Sequence, residues 1–165
     1  MNSLLVALIV AQALADVSIA TVTHLTEPLA YANPSLNVKG TVSPAPGHRL
    51  DIVVLALGAT RVDAEVGAFA LVTASGQAYA PIGVGGGAYL IFPLDRLPIG
   101  QEVGQILPTD AIVAVMRNSS SSVTLEAGPK GTIALLFELP TNAVVKSLRL
   151  PDGSQLAVAL EKVKR

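Results

Sequence analysis

The sequence predicts an all-β fold of short strands, a sandwich or a barrel, after a short N-terminal hydrophobic segment. Three observations carry this expectation. Ten candidate strand segments follow one another in about 150 residues, turn residues separate them at short intervals, and no stretch sustains the 3.6-residue period of an amphipathic helix. A chain of 165 residues buries roughly 70% of its unfolded surface, enough for a core without disulfide or metal. Residues 16–165 are accordingly read as one sandwich domain.

The first strand is "VSIATVTHL", with Val17, Ile19 and Thr21 on one face and Ala20 and Val22 on the other. "LNVKGTV" alternates more cleanly, Leu36, Val38, Gly40 and Val42 against Asn37, Lys39 and Thr41, the pattern of a half-buried strand. "SPAPGH" breaks the chain. "RLDIVVLALG" is apolar on both faces from Ile52 to Leu57, as a central strand requires. A run this short also fits a buried helix turn, and its β-branched residues and flanking glycines favour the strand. "AFALVTASGQAYAPI" holds two extended runs joined at Ser75-Gly76, and "AYLIF", "AIVAVM", "SVTLEA", "TIALLFEL", "AVVKSLRL" and "SQLAVAL" follow. Asp152-Gly153 tolerates the positive φ of a tight hairpin, and "GPKG", Gly128 to Gly131, is assigned the same service earlier. Phe69 and Phe137 are expected to bury their rings between the sheets.

Met1 to Ala15 reads as a signal peptide. Leu4 to Ala15 are twelve uncharged, mostly apolar residues, and Ala13-Leu14-Ala15 supplies the small-x-small pattern of a cleavage site, so that the mature chain begins at Asp16. The segment has no Lys or Arg before its apolar core, and it is short of the roughly 20 apolar residues of a spanning helix. Cysteine is absent, which removes disulfides, thiol catalysis and Cys-ligated zinc. Eleven basic residues against twelve acidic ones, with no stretch that sets Lys and Arg among aromatics, argue against nucleic acid binding.

The glycine-rich "PIGVGGGAYLIFPL" tests for phosphate chemistry. Gly83, Gly85 and Ala88 satisfy the loose form G-x-G-x-x-G/A, but such a fingerprint needs a helix after it. Tyr89 to Pro93 read instead as a strand stopped by proline, and the glycines as a mobile connection between strands. No G-x-S-x-G surrounds a serine, and "GPKGT" lacks the earlier glycine of a Walker loop. His24 and His48, the only histidines, have no His or carboxylate partner at ligand spacing and are read as surface or edge-strand residues. Asp95-Arg96 and Asp63-Ala64-Glu65 are read as solvated charges. No catalytic residue, metal ligand or cofactor site is therefore assigned, and no enzyme activity. "RNSSSSVT" is a flexible polar loop that contains the sequon Asn118-Ser119-Ser120.

"GAFALVTASGQAYAPIG" and "EAGPKGTIALLFELPTNAVVKSLRLPDG" carry a resemblance. A strand with Phe69 and Leu71, the Gly76 turn, Tyr79 and Pro81, the run Phe137-Glu138-Leu139-Pro140 and a final hairpin around Leu148 resemble the DUF4352 family of secreted, immunoglobulin-like β-sandwich domains, over about residues 50–160. The chain departs from that family at "ALGATRVDAEVG", where no asparagine-rich turn stands, and in having no lipoprotein cysteine. The resemblance implies a two-sheet antiparallel sandwich of immunoglobulin-like type and export to an extracellular or cell-envelope setting, and it brings no catalytic residues. Two functions are expected from these readings. The first is a non-enzymatic binding module that presents the loops of Gly83, Gly85, Gly86 and Gly87 and of Asn118, Ser119 and Ser120 to a protein or cell-surface partner. The alternative is a structural subunit of a surface assembly or filament, a homo-oligomer joined by N-terminal strand or edge-strand exchange, with "DVSIATVTHL" as the donor.

Overall fold

The structure, a computed structural model, describes residues 14, 16–33, 37–87, 91–159 and 163–164. The signal-peptide reading of Met1 to Ala15 thus falls outside the described residues except at Leu14. Sixteen strands are described: β1 (Val17–Leu25), β2 (Leu29–Asn33), β3 (Val38–Val42), β4 (His48–Leu57), β5 (Val62–Glu65), β6 (Ala70–Thr73), β7 (Ala78–Tyr79), β8 (Gly83–Gly85), β9 (Ile91–Pro93), β10 (Glu102–Ile106), β11 (Ile112–Arg117), β12 (Val123–Ala127), β13 (Thr132–Pro140), β14 (Val145–Arg149), β15 (Gln155–Ala157) and β16 (Val163–Lys164).

They form one six-stranded sheet of order β16-β1-β4-β13-β8-β9, two four-stranded sheets, β10-β11-β12-β5 and β15-β14-β6-β7, and the hairpin β2-β3. Every pairing inside these sheets is antiparallel except that of β1 with β16. The antiparallel all-β sandwich expected from the sequence is the fold of the chain. Its first layer is the six-stranded sheet, and its second is divided between the two four-stranded sheets. Side chains from all three sheets meet in one cluster: Val53, Leu55 and Leu57 of β4, Ile133, Leu135, Phe137 and Leu139 of β13, Val113 and Val115 of β11, Leu125 of β12, and Leu71 and Leu148 of β6 and β14. Phe69 and Phe137 lie in it at 1% and 0% exposure. Leu50, Ile52, Ala134 and Leu136, on the opposite face of β4 and β13, form a second cluster, against which Leu29 and Val42 of the β2-β3 hairpin pack. That two-sided burial is why Ile52 to Leu57 reads as apolar without alternation.

Local chemistry explains where the chain turns. After β6, β10 and β14 the same three-residue loop recurs, in which Gly76, Asp110 and Gly153 donate to the carbonyls of Thr73, Leu107 and Leu150 and take positive φ. This is a type I turn closed by a left-handed residue, the usual three-residue hairpin. "GPKG" differs from its expected service: it carries the chain from β12 into β13, which belong to different sheets, and its positive φ of 62° falls on Lys130 and not on a glycine. β1 differs as well. Its register against β4 shifts between Ile19 and Thr21, and this bulge turns Val22 onto the face of Val17 and Ile19, all three buried in the main cluster. Among the described residues no helix is long and apolar enough to cross a membrane.

Candidate functional site

The two loops proposed from the sequence fare differently. Gly83 and Gly85 are residues of β8, paired with Leu136 and Ala134 of β13 on one side and with Pro93 and Ile91 of β9 on the other. Gly83, Gly85 and Gly86 are buried and Gly87 is half-buried. Gly83 and Gly85 are strand residues and not an exposed connection, which corrects their assignment as a presented loop, while Gly86 and Gly87 follow β8 in a bend and are not exposed either. Crowding accounts for Gly83, where a Cβ would stand 3.0 Å from the Phe92 carbonyl and 3.1 Å from Leu136 Cβ. Gly86 donates its N–H to Gln105 Oε1 at 2.7 Å. A strand, β9, follows β8, so the helix N-terminus of a dinucleotide fingerprint is not there; Ala88 itself lies outside the described residues.

Asn118, Ser119 and Ser120 are exposed, in the turn between β11 and β12. The turn is closed by Asn118 N–H to Ser122 O at 2.8 Å, and the Asn118 side-chain amide donates to Thr124 Oγ1 at 3.1 Å. Ser122 Oγ donates to Glu65 Oε1 at 2.8 Å. These bonds order a segment that its composition alone describes as flexible.

The structure adds a surface that the sequence reading omitted. β10 is an edge strand, paired only with β11 among the described strands. Leu107 N–H bonds Ala111 O, and in an antiparallel ladder bonded pairs alternate. The backbone groups of Val103 and Gln105 therefore point toward β11, and those of Glu102, Gly104 and Ile106 toward the open side. Ile106 and Ile112 are a cross-strand pair on the outer face, 76% and 56% exposed, and Ile99, 60% exposed, bridges to Arg117 beside the other end of β10. Three of the four exposed large hydrophobic residues among those described thus flank one edge; the fourth is Val144. The opposite edge of the same sheet, β5, carries exposed Asp63 and Glu65, charges of the kind that discourage edge pairing. Val103 and Leu107 are buried with half-buried Gln105 between them, but a polar residue on the inner face and the exposed Ile106 on the outer one hide the period of two that would have found β10.

A second omission is polar. His24 does have a carboxylate partner: it sits opposite Asp51 in the β1–β4 register, with its Nδ1 2.6 Å from Asp51 Oδ1. Arg49 Nε donates to the same oxygen at 2.8 Å, and its terminal nitrogens donate to Thr141 O and Ala143 O. Asp51 is fully buried, Arg49 is 9% exposed, and Phe137 is the β13 partner of Asp51. Period two places Arg49, Asp51 and Val53 on one face of β4, so the main core ends in a paired, hydrogen-bonded cluster that ties β1, β4 and the turn after β13 together. A His–Asp pair orients an imidazole as in acyl-transfer triads, but here no described hydroxyl bonds the other ring nitrogen. His48 Nδ1 faces Pro46 O in an exposed turn. Among the described residues no group of three or more His, Asp or Glu is placed to hold a metal ion.

No protein-family model, no curated protein and no solved structure matches the chain.

Proposed function

We propose that the chain is a non-enzymatic β-sandwich interaction module of the cell envelope or exterior that engages a protein or cell-surface partner. The observation that supports this best is the β10–β11 edge, where open backbone groups and the exposed Ile106–Ile112 pair lie together. An extended partner segment adds a strand there through main-chain hydrogen bonds, and the isoleucines give it apolar contact. Export rests on the Met1 to Ala15 segment and on the resemblance to secreted sandwiches. The test is sedimentation of labelled protein with the envelope fraction of its source cells. Saturable binding that Ile106→Lys with Ile112→Lys abolishes supports the reading, and binding unchanged by the double substitution removes it.

A structural subunit of a surface assembly is the second reading, and one observation favours it. Leu14 is buried at 7% exposure in the main cluster, and Asp16 O accepts from Gly58 N. Cleavage after Ala15 would take Leu14 out of that cluster, whereas a retained segment keeps it. Intact mass of the protein recovered from its host, together with its size in solution, separates the readings. A chain beginning at Asp16 and running as a monomer supports the module; one that retains Met1 to Ala15 in a filament or ring supports the assembly.

A further inference from the structure

Away from the β10–β11 edge, two concavities of about 460 Å³ and 290 Å³ adjoin, sharing Pro81, Leu94 and Asp95 in their walls. The larger runs under the β2-β3 hairpin and the smaller reaches the turn of Ser120 and Ser121. The floor is stiff and apolar: Pro81 and Pro93 are buried, and Ile82 and Leu94 are half-buried. Tyr31 forms one wall. It lies over Gly40, its cross-strand partner, where a Cβ would come within 2.6 Å of its hydroxyl, and its ring centroid is 6.0 Å from that of Phe92. The aromatic wall is thus held in place from two sides.

The rim is polar and holds charges of both signs, the carboxylate of Asp95 and the guanidiniums of Arg96 and Arg117, of which Arg117 is engaged with backbone carbonyls. Asp95 is a pure acceptor, Arg96 a pure donor, and Thr41, Ser120 and Ser121 can do either. The Asp95 and Arg96 side chains are exposed, with no ion pair between them and no hydrogen bond to a described residue. Their turn is fixed from below, since Arg117 Nη1 donates to the backbone carbonyls of Asp95 and Leu97. A phosphate or other anion meets a carboxylate here, and a cation meets a guanidinium. A vicinal diol suits both, because each hydroxyl donates and accepts, and the C–H face of a sugar ring suits an aromatic wall and a proline floor.

We propose that this groove binds a neutral oligosaccharide, with Tyr31 as the stacking wall and Asp95 and Arg96 as the hydroxyl-reading pair. The site is separate from the β10–β11 edge and stands or falls without it. The test is an NMR titration of the ¹⁵N-labelled full chain with cellotriose, mannotriose and triacetylchitotriose, and with glycylglycine and inorganic phosphate for comparison. One trisaccharide is expected to produce saturable shifts at the amides of Thr41, Leu94 to Arg96 and Ser121. Asp95→Ala with Arg96→Ala, two exposed substitutions that leave the fold intact, is expected to weaken that binding about tenfold or more, the loss typical of a missing charge-assisted hydrogen bond. Tyr31→Ala weakens it too, and Tyr31→Phe restores it in a folded protein. The proposal is overturned if none of the trisaccharides shifts these amides, if the double substitution leaves the affinity unchanged, or if glycylglycine or phosphate saturates the same amides in their place.

Discussion

The inner face of β4 and β13 and the outer face of β10 and β11 meet opposite fates in one molecule. On the inner face a phenylalanine and an aspartate stand side by side, Phe137 and Asp51, and both are at 0% exposure. Each is satisfied inside the chain, the ring by the surrounding apolar side chains and the carboxylate by Arg49 and His24. On the outer face Ile106 and Ile112 also stand side by side, but neither finds cover among the described residues. Hydrophobicity alone therefore does not decide position in this fold. Where the chain can close around a group it buries even a charge, and where it cannot it leaves an isoleucine to solvent or to a partner.

The comparison predicts large stability effects on the first surface. Phe137→Ala should lower unfolding free energy by about 3 to 5 kcal/mol, by lost transfer energy and an unfilled cavity. A parent-like midpoint in urea would show that the ring is not held as described. Asp51→Ala should cost a similar amount, about 3 to 5 kcal/mol, for a different reason: it leaves the Arg49 guanidinium buried without its counter-charge. The two explanations part in the double substitution. Arg49→Met with Asp51→Leu removes both charges and should recover much of the loss, while Phe137→Ala has no such rescue. If the double variant is as unstable as the sum of its singles, pairing is not what makes Asp51 tolerable there. A smaller effect is expected at the border of the same sheet: Gly83→Ala should cost about 1 to 3 kcal/mol, because a Cβ presses on the backbone carbonyl of Phe92. At Gly86 the added Cβ would meet the ends of the Gln105 and Leu107 side chains, which can move, so Gly86→Ala should cost less.

What the sequence disclosed follows the range of the interactions involved. β4 and β13 were legible because a centre strand needs apolar residues on both faces, and Ile52 to Leu57 and Ile133 to Phe137 have them. The Gly76 and Gly153 turns were legible because glycine advertises positive φ, whereas the same conformation at Asp110 and Lys130 does not announce itself. β8 was hidden for the converse reason, since four glycines in five residues suggest a loop, whereas at Gly83 the cause is a crowded sheet. The bulge in β1 defeated a strict period of two at Val22. The His24–Asp51 pair spans 27 residues and exists only because β1 and β4 align in one register, which no local pattern encodes. The groove beside Asp95 draws on segments scattered from Tyr31 to Val123 and was beyond reach for the same reason; from the sequence, Asp95 and Arg96 were simply charges in solvent.

The smallest stability effect belongs to the second surface and is the sharpest test of the contrast. Ile106→Lys replaces a side chain that is already 76% exposed, at the open edge of β10, so it removes little buried area. Lysine is also a residue that natural edge strands carry without penalty. Unfolding free energy should change by no more than about 0.5 kcal/mol, the range of an ordinary surface substitution. Self-association and envelope binding should respond instead, because a charge on the outer face of an edge strand opposes an added strand with apolar contacts. Equilibrium unfolding and sedimentation velocity on the same variant read the two quantities separately. A loss of stability comparable to that of Phe137→Ala would mean that Ile106 packs against the chain after all, and the distinction between a face that is closed and a face that waits for a partner would fail at its clearest residue.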